Sequence, residues 1–234
     1  MVSDDTGMVP LIVVNFKTYR EATGENAVKL ATLCESAAKK SKGKVKIAIA
    51  VQATDIFRVA AAVDKNTVEV FAQHIDANGQ GKSTGFVTAE AVKESGASGT
   101  LMNHAEHKIT DIAKRIATAK KVNMTVVVCA ADFTEAKMIA GLNPLPSYVA
   151  LEPPELIGGK VSVSKAKPDL LTAAVAAVKE KAPSVHVLCG AGVTSSEDVE
   201  KALQLGTSGI LVASSVVLAK NPEKALLGLI AGIK

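Results

Sequence analysis

Short runs of apolar, largely β-branched residues recur along the whole chain, and stretches with helical periodicity separate them. Each run is apolar without a break instead of alternating with polar residues, which is typical of strands buried on both faces. A parallel sheet covered by helices is the architecture that buries strands in this way. The predicted strands span residues 11–16, 45–50, 68–73, 98–103, 124–129, 148–152, 185–190 and 208–212.

The regular succession of strands and helices predicts how the sheet is arranged. Eight strand–helix units at this spacing favour a closed (β/α)8 barrel of the α/β class over an open sheet. The first strand is not followed by Gly-x-Gly-x-x-Gly, which argues against an open dinucleotide-binding sheet. No linker or low-complexity segment interrupts the pattern. We therefore expect one barrel domain over residues 1–234, with residues 1–10 as a flexible N-terminal extension.

Composition excludes several classes of partner. Aromatic residues make up only 3% of the chain, too few for modules that stack nucleic-acid bases. The dense basic stretch at 39–46 follows a helical pattern, where lysines complement the negative end of the helix dipole. No apolar run approaches the roughly 18 residues that a membrane span requires. We expect neither a nucleic acid nor a membrane as partner.

The three cysteines, Cys34, Cys129 and Cys189, predict the compartment. They show no metal-ligand spacing and no even-numbered framework, and two of them close apolar runs. Small buried thiols of this kind suit a reducing environment. We therefore expect a cytoplasmic protein without a bound metal.

Chemically active side chains follow three of the predicted strands. Asn15 and Lys17 follow the first strand, His104 follows the fourth, and Glu152 ends the sixth. Each one alone is more often structural than catalytic. Because the functional face of such a barrel lies at the C-terminal strand ends, a cation, an imidazole and a carboxylate are expected on one rim. Their convergence predicts a catalytic site.

The loops after strands 7 and 8 consist of small residues. They read Cys-Gly-Ala-Gly-Val and Val-Ala-Ser-Ser, so little side chain blocks the backbone N–H groups where each following helix begins. Such groups bind phosphate, and barrels often place a phosphate site at these two loops. The predicted phosphate-binding residues are Gly190, Gly192, Ala213 and Ser214. The substrate is then expected to be a small phosphorylated metabolite.

Five motifs in order resemble the triosephosphate isomerase family in its archaeal form. They are VNFK (14–17), MNHAE (102–106), LEPPELIG (151–158), CGAGV (189–193) and ILVAS (210–214). The resemblance covers the chain from about residue 11 to its end. It implies interconversion of dihydroxyacetone phosphate and D-glyceraldehyde 3-phosphate through an enediolate, a step of glycolysis and gluconeogenesis, without any cofactor.

The resemblance also implies a role for each residue. Glu152 would be the base, and His104 the neutral electrophile that polarises the carbonyl oxygen. Lys17 would hold the phosphate and the developing negative charge, with Asn15 helping to bind the substrate. We expect His104 to lie just ahead of a helix whose dipole disfavours a charged ring, and Glu106 to contact Lys17 from its first turn.

Residues 152–160, EPPELIGGK, resemble the lid of the family. Pro153 and Pro154 would form a stiff hinge that carries the base, and Ile157 would cover the substrate. Gly158 would give freedom to close and offer its N–H to the phosphate. A base that removes a proton from a weak carbon acid must work away from water, which such closure provides.

Two positions depart from the family pattern. Residues 190–193 read Gly-Ala-Gly-Val, where bacterial and eukaryotic members carry Gly-Gly-Ser-Val, so one hydroxyl for the phosphate is missing. Ser215 replaces the glycine that is usual in archaeal members. If that position required a positive φ, the replacement would cost about 1 kcal/mol.

The loop at 74–86 resembles the segment that family members insert beside a neighbour's active site. Thr84 and Gly85 would lie at or near its tip. We therefore expect a homo-oligomer, either a dimer or a tetramer, acting on a small phosphorylated triose.

Other functions on the same barrel remain open at this stage. Another sugar-phosphate isomerase would want an Asp or Cys base at the first strand, where Asn15 and Lys17 stand. An aldolase would want a Schiff-base lysine at the end of the sixth strand, where Glu152 stands. A non-catalytic phosphate-binding barrel would be expected to lack at least one of Lys17, His104 and Glu152.

Overall fold

The predicted (β/α)8 barrel is confirmed. The computed structural model describes residues 8–159 and 161–234, and within them eight parallel strands close into a barrel in sequential order. Each predicted strand overlaps an observed one, and their ends differ by at most one residue. The strands are β1 (Leu11–Asn15), β2 (Lys46–Val51), β3 (Glu69–Ala72), β4 (Gly99–Met102), β5 (Thr125–Ala130), β6 (Tyr148–Leu151), β7 (His186–Cys189) and β8 (Gly209–Val212).

Helices cover the outside of the barrel. Pro168 opens α7, and the Asn221 side chain caps α10 by accepting the backbone N–H of Lys224 at 2.9 Å. Residues 1–7 of the expected N-terminal extension lie outside the described residues. The helices are α1 (Glu25–Lys40), α2 (Ile56–Ala62), α3 (Ala89–Glu94), α4 (Ile112–Lys121), α5 (Phe133–Ile139), α6 (Val163–Ala166), α7 (Pro168–Lys181), α8 (Ser196–Gln204), α9 (Ser214–Val217) and α10 (Pro222–Ile230).

Side chains of each strand alternate between two buried layers. In β1, Leu11 and Val13 belong to the cluster that fills the barrel, together with Phe71. Ile12 and Val14 belong to the layer between the barrel and its helices. Both layers exclude water, and burying one such side chain contributes about 1.5–3 kcal/mol. The strands are therefore apolar throughout, which explains the lack of alternation in the sequence.

The carboxyl end of β6 holds Glu152 firmly. Although β6 ends at Leu151, the N–H of Glu152 still donates to the carbonyl of Ala130 on β5 at 2.8 Å. On the other side, the N–H of Gly190 donates to the carbonyl of Leu151 at 2.9 Å. The backbone of Glu152 is therefore part of the sheet, while the lid begins at the next residue.

One buried carboxylate joins the segment at residues 162–165 to the loop after β7. Asp198 is 2% exposed and accepts the backbone N–H groups of Thr194 at 2.9 Å and Ser195 at 3.0 Å. It also accepts the Ser162 hydroxyl at 3.0 Å and forms an ion pair with Lys165 at 2.8 Å. The segment that follows the lid and the loop that follows β7 are thus fixed to each other.

These partners control the ionisation of Asp198. Burial opposes the charged form, but hydrogen bonds from Lys165, Thr194 and Ser162 outweigh it and lower the pKa of Asp198 to about 2. An aspartate in the unfolded chain has a pKa of about 3.9. The folded state therefore gains stability from this group above about pH 4, and that gain is lost as the pH falls toward about 2.

We predict that Asp198→Asn lowers the melting temperature at pH 7, because the amide cannot pair with Lys165 or accept as many hydrogen bonds. The difference from wild type should shrink as the pH falls from about 4 to about 2, where the wild-type carboxylate itself protonates. Thermal unfolding followed by circular dichroism measures this, with Glu180→Gln at an exposed site of α7 as control. A difference that stays constant over this pH range would contradict the assignment.

Candidate active site

All predicted site residues except Asn15 line one cavity at the C-terminal rim of the barrel. Lys17 enters it from the loop after β1, His104 from the loop after β4, and Glu152 from the end of β6. The lid and the loops after β7 and β8 complete its walls. Their lining residues include Ile157, Gly158, Gly190, Gly192, Ala213 and Ser214.

Asn15 does not line the cavity but contacts a residue that does. It is 4% exposed, and its Oδ1 accepts the backbone N–H of Lys17 at 2.9 Å. The Gln73 side chain donates to the Lys17 carbonyl at 2.9 Å and to Asn15 Oδ1 at 3.3 Å. Sequence reasoning did not assign Gln73 to the site, although its position at the end of a predicted strand was a signal.

These two amides hold Lys17 in an unusual backbone conformation. The φ angle of Lys17 is 49°, in the left-handed region that a lysine rarely adopts. Such a conformation costs on the order of 1–3 kcal/mol and persists only where neighbouring groups fix it. Asn15 and Gln73 thus support the placement of Lys17.

The ammonium group of Lys17 pairs with Glu106 across the rim. Lys17 Nζ lies 2.6 Å from Glu106 Oε1, which confirms the predicted contact. The Glu106 side chain is 59% exposed, and exposed pairs of this kind contribute only about 0–1 kcal/mol to stability. The pair therefore serves mainly to place a positive charge at the cavity wall.

The expectation that a helix begins just after His104 is wrong. The following helix, α4, starts only at Ile112, and residues 104–107 form a single turn closed by the His107 N–H and the His104 carbonyl at 2.8 Å. A helix dipole acts only within its first turn, so it does not reach His104.

A backbone N–H inside this turn sets the tautomer of the imidazole. The N–H of Glu106 donates to His104 Nδ1 at 3.1 Å, so Nδ1 is an acceptor and the ring proton resides on Nε2. Burial lowers the pKa of His104, and the positive charge of Lys17 lowers it further. The ring is therefore neutral near pH 7, as predicted, but for a different reason.

Glu152 is a buried carboxylate with an unpartnered oxygen. It is 2% exposed, and its Oε2 has no hydrogen-bond partner among the described residues. That oxygen lies 3.7 Å from His104 Nε2. Burial raises the pKa of Glu152 to about 7, although the Cys129 thiol and the charge of Lys17 partly oppose the shift.

Gly190 leaves the room that this carboxylate requires. A Cβ atom at position 190 would lie 2.4 Å from the Cγ atom of Glu152. Any side chain there would displace the Glu152 carboxylate from its position opposite His104. Gly190 therefore makes room for Glu152 as well as belonging to the predicted phosphate loop.

The departure at Gly192 has a steric reason. Gly192 has a φ of 68°, and a Cβ atom there would lie 2.0 Å from the carbonyl oxygen of Val161, just beyond the lid. The serine of bacterial and eukaryotic members would collide with this backbone. Lys160, the last residue of the predicted lid, lies outside the described residues.

The expected cost at Ser215 does not arise. Ser215 lies inside α9 and is not among the residues with positive φ. In the lid, Gly158 has a φ of 72°, a conformation that favours glycine and suits its predicted freedom to close.

The other histidines, His74, His107 and His186, do not line the cavity. The rings of His74 and His107 stack with their centroids 4.1 Å apart, and His74 contacts Arg115 at 2.7 Å. His186 begins β7 at the opposite end of the barrel, beside Tyr148.

Metal clusters and membrane-spanning helices are both absent from the described part of the chain. It contains no group of three His, Cys, Asp or Glu residues placed to hold a metal ion. None of its helices combines the length and the apolar character needed to cross a bilayer.

Comparisons with known proteins agree with this geometry. The sequence profile of the family described as triosephosphate isomerase matches residues 10–231. Over 223 residues the chain is 48% identical to the triosephosphate isomerase of Methanothermus fervidus, covering 94% of this chain and 97% of that protein. It is 42% identical to the enzyme of Methanothermobacter thermautotrophicus over 226 residues, covering 96% of each chain. For Methanocaldococcus jannaschii the identity is 42% over 222 residues, covering 94% of this chain and 98% of that protein.

These relatives come from archaea, in agreement with the archaeal form that the motifs resemble. The match extends over the barrel strands and every loop that lines the cavity. The chain belongs to the triosephosphate isomerase family.

Proposed function

We propose that this chain interconverts dihydroxyacetone phosphate and D-glyceraldehyde 3-phosphate with Glu152, His104 and Lys17 as its catalytic residues. The family supplies the reaction, and the cavity suggests which group performs each step. The observation that carries the assignment is the buried, unpartnered Oε2 of Glu152, 3.7 Å from His104 Nε2.

Glu152 removes a proton from the carbon next to the substrate carbonyl. The C–H electron pair forms the new C=C bond, and negative charge collects on the former carbonyl oxygen. A base works best when its pKa lies near the working pH, and burial brings the pKa of Glu152 to about 7. The carboxylic acid then returns the proton to the neighbouring carbon.

His104 stabilises the oxygen on which charge develops. Its Nε2–H points toward the base, because Nδ1 already accepts the N–H of Glu106. A neutral ring donates a hydrogen bond to the enediolate and passes a proton between its two oxygens without being trapped as a cation. The lowered pKa of His104 keeps it in that state.

Lys17 and the small-residue loops hold the anionic substrate. The ammonium group stabilises the phosphate and the charge that develops in the transition state. The first N–H groups of a helix have no partner within it, so those of Ser214 and its neighbours are available to the phosphate together with the loop at Gly190 and Gly192.

The lid excludes water from this chemistry. Ile157 and Gly158 line the cavity, and Pro153 and Pro154 stiffen the chain directly after the base. Beyond the lid, Asp198 fixes the chain to the loop after β7. The residues on either side of the predicted lid, Glu152 and Ser162, are thereby anchored to the barrel, as the hinge points of a closing loop require.

A different sugar-phosphate isomerase or an aldolase is not favoured. The end of β6 carries Glu152, where an aldolase would need a Schiff-base lysine. The first strand ends on Asn15, not on the Asp or Cys base of amino-sugar isomerases.

We predict that Glu152→Asp lowers kcat by about 100-fold or more, because the carboxylate retreats by one methylene from the carbon it must reach. A coupled assay with D-glyceraldehyde 3-phosphate measures the turnover of wild type and variant. Glu180→Asp, at an exposed position of α7, is the matched control and should keep wild-type turnover. Unaltered turnover in Glu152→Asp would remove this residue from the role of base.

The protein is also proposed to assemble with copies of itself. The loop after β3 exposes Thr84, Gly85 and Phe86, and the Phe86 side chain is 51% exposed. An apolar ring at the tip of a projecting loop favours contact with another subunit. Light scattering of the purified protein should give the mass of a dimer or a tetramer, and a monomeric mass at micromolar concentration would contradict this.

The cytoplasm is the compartment that we propose. Cys34, Cys129 and Cys189 are buried free thiols. Unpaired cysteines are typical of proteins kept in a reducing environment.

A further inference from the structure

The residue directly before His104 is a strained asparagine. Asn103 follows β4, is 1% exposed and has a φ of 59°. Asparagine and glycine are the residues that enter this left-handed region most readily. The backbone conformation at Asn103 sets the direction in which the next side chain, His104, leaves the strand.

Every polar hydrogen of the Asn103 amide has a partner. Its Nδ2 donates to the carbonyl of Cys129 at 2.9 Å and to Glu135 Oε1 at 2.7 Å. Its Oδ1 accepts the backbone N–H of Ile109 at 3.2 Å. One side chain therefore connects the end of β4 with the end of β5 and with the far side of the loop that carries the imidazole.

Glu135 also binds the loop that carries His104, through a second residue of that loop. Its carboxylate accepts the backbone N–H of Ala131 at 2.6 Å, which fixes it to the end of β5. Lys108 donates to both of its oxygens, at 2.8 and 2.9 Å. Asn103 lies before His104 and Lys108 lies after it, so Glu135 anchors the loop on both sides.

Cys129 links this network to the base. Its carbonyl accepts the hydrogen bond from Asn103, while its thiol interacts with the carboxylate of Glu152. Asn103 and Glu152 are thus both positioned against one residue of β5. A displacement of Asn103 would change the 3.7 Å distance between His104 Nε2 and Glu152 Oε2.

We propose that Asn103 is a positioning residue for the isomerase reaction: its hydrogen bonds to Cys129, Glu135 and Ile109 orient His104 toward the substrate oxygens. The proposal rests on the function proposed above. Asn103 itself does not line the cavity, so it acts through the turn that carries the imidazole.

Two substitutions separate the hydrogen bonds from the backbone conformation. Asn103→Gly permits the same left-handed backbone but removes all three side-chain bonds. Asn103→Asp keeps the size of the side chain and an acceptor for Ile109, yet it cannot donate to Cys129 and places a carboxylate against Glu135. Asn123 lies at an exposed turn after α4 and also has a positive φ, 55°. The variants Asn123→Gly and Asn123→Asp are therefore the matched controls.

We expect both Asn103 variants to lower kcat by about tenfold or more, because a small misplacement of a catalytic group is costly. KM should change by less than about twofold, since the groups that bind the substrate remain in place. Both Asn123 variants should keep the wild-type kcat. Steady-state kinetics with D-glyceraldehyde 3-phosphate measures these values, and thermal unfolding of the same samples measures stability.

Glu135→Ala tests the network without altering Asn103, and it decides the question if an Asn103 variant does not fold. It should also lower kcat, and the double variant Asn103→Gly, Glu135→Ala should lose less than the product of the two single effects. Wild-type kcat in Asn103→Gly, or equal losses in the Asn123 variants, would overturn the proposal. An inactive wild-type enzyme would instead refute the proposed function.

Discussion

The site depends on one constraint: a carboxylate held out of water at the end of a barrel strand. The backbone of Glu152 is bound into the sheet through Ala130, and Gly190 leaves space for its side chain. Burial raises the pKa of Glu152 to about 7, so the folded protein binds this proton more tightly than the unfolded chain. Between about pH 4.5 and 7, rising pH therefore lowers the free energy of unfolding contributed by this group. The apolar core of the barrel offsets that cost.

The groups facing the base rely on backbone conformations that are rare for their residue types. Lys17 and Asn103 both have positive φ, and each lies at or next to a residue that faces the cavity. Side-chain amides hold them: Asn15 and Gln73 for Lys17, and the Asn103 side chain for its own turn. Strain of this kind persists where surrounding structure fixes it, and it accumulates at functional sites. The tautomer of His104 also depends on local backbone, a backbone N–H in a tight turn, while burial and the charge of Lys17 lower its pKa.

The barrel and the rim positions of Lys17, His104 and Glu152 were predictable from the sequence, because both depend on where the strands begin and end. Continuous apolar runs record burial on two faces, and a polar residue after such a run must lie on the rim. Features that depend on tertiary contacts were not predictable. The link between Ser162 and Asp198 spans distant segments, and the support that Asn15 gives to Lys17 depends on a backbone angle. The helix expected just after His104 starts only at Ile112, because a separate hydrogen-bonded turn at residues 104–107 comes before it.

The central claim is that Glu152 is a desolvated base. Carbon-13 NMR of protein labelled at the glutamate side-chain carboxyl carbon measures it directly, with the spectrum of Glu152→Gln identifying the resonance. We expect the Glu152 signal to titrate with a midpoint near pH 7. A midpoint near 4.5, the ordinary value for a glutamate, would contradict the account.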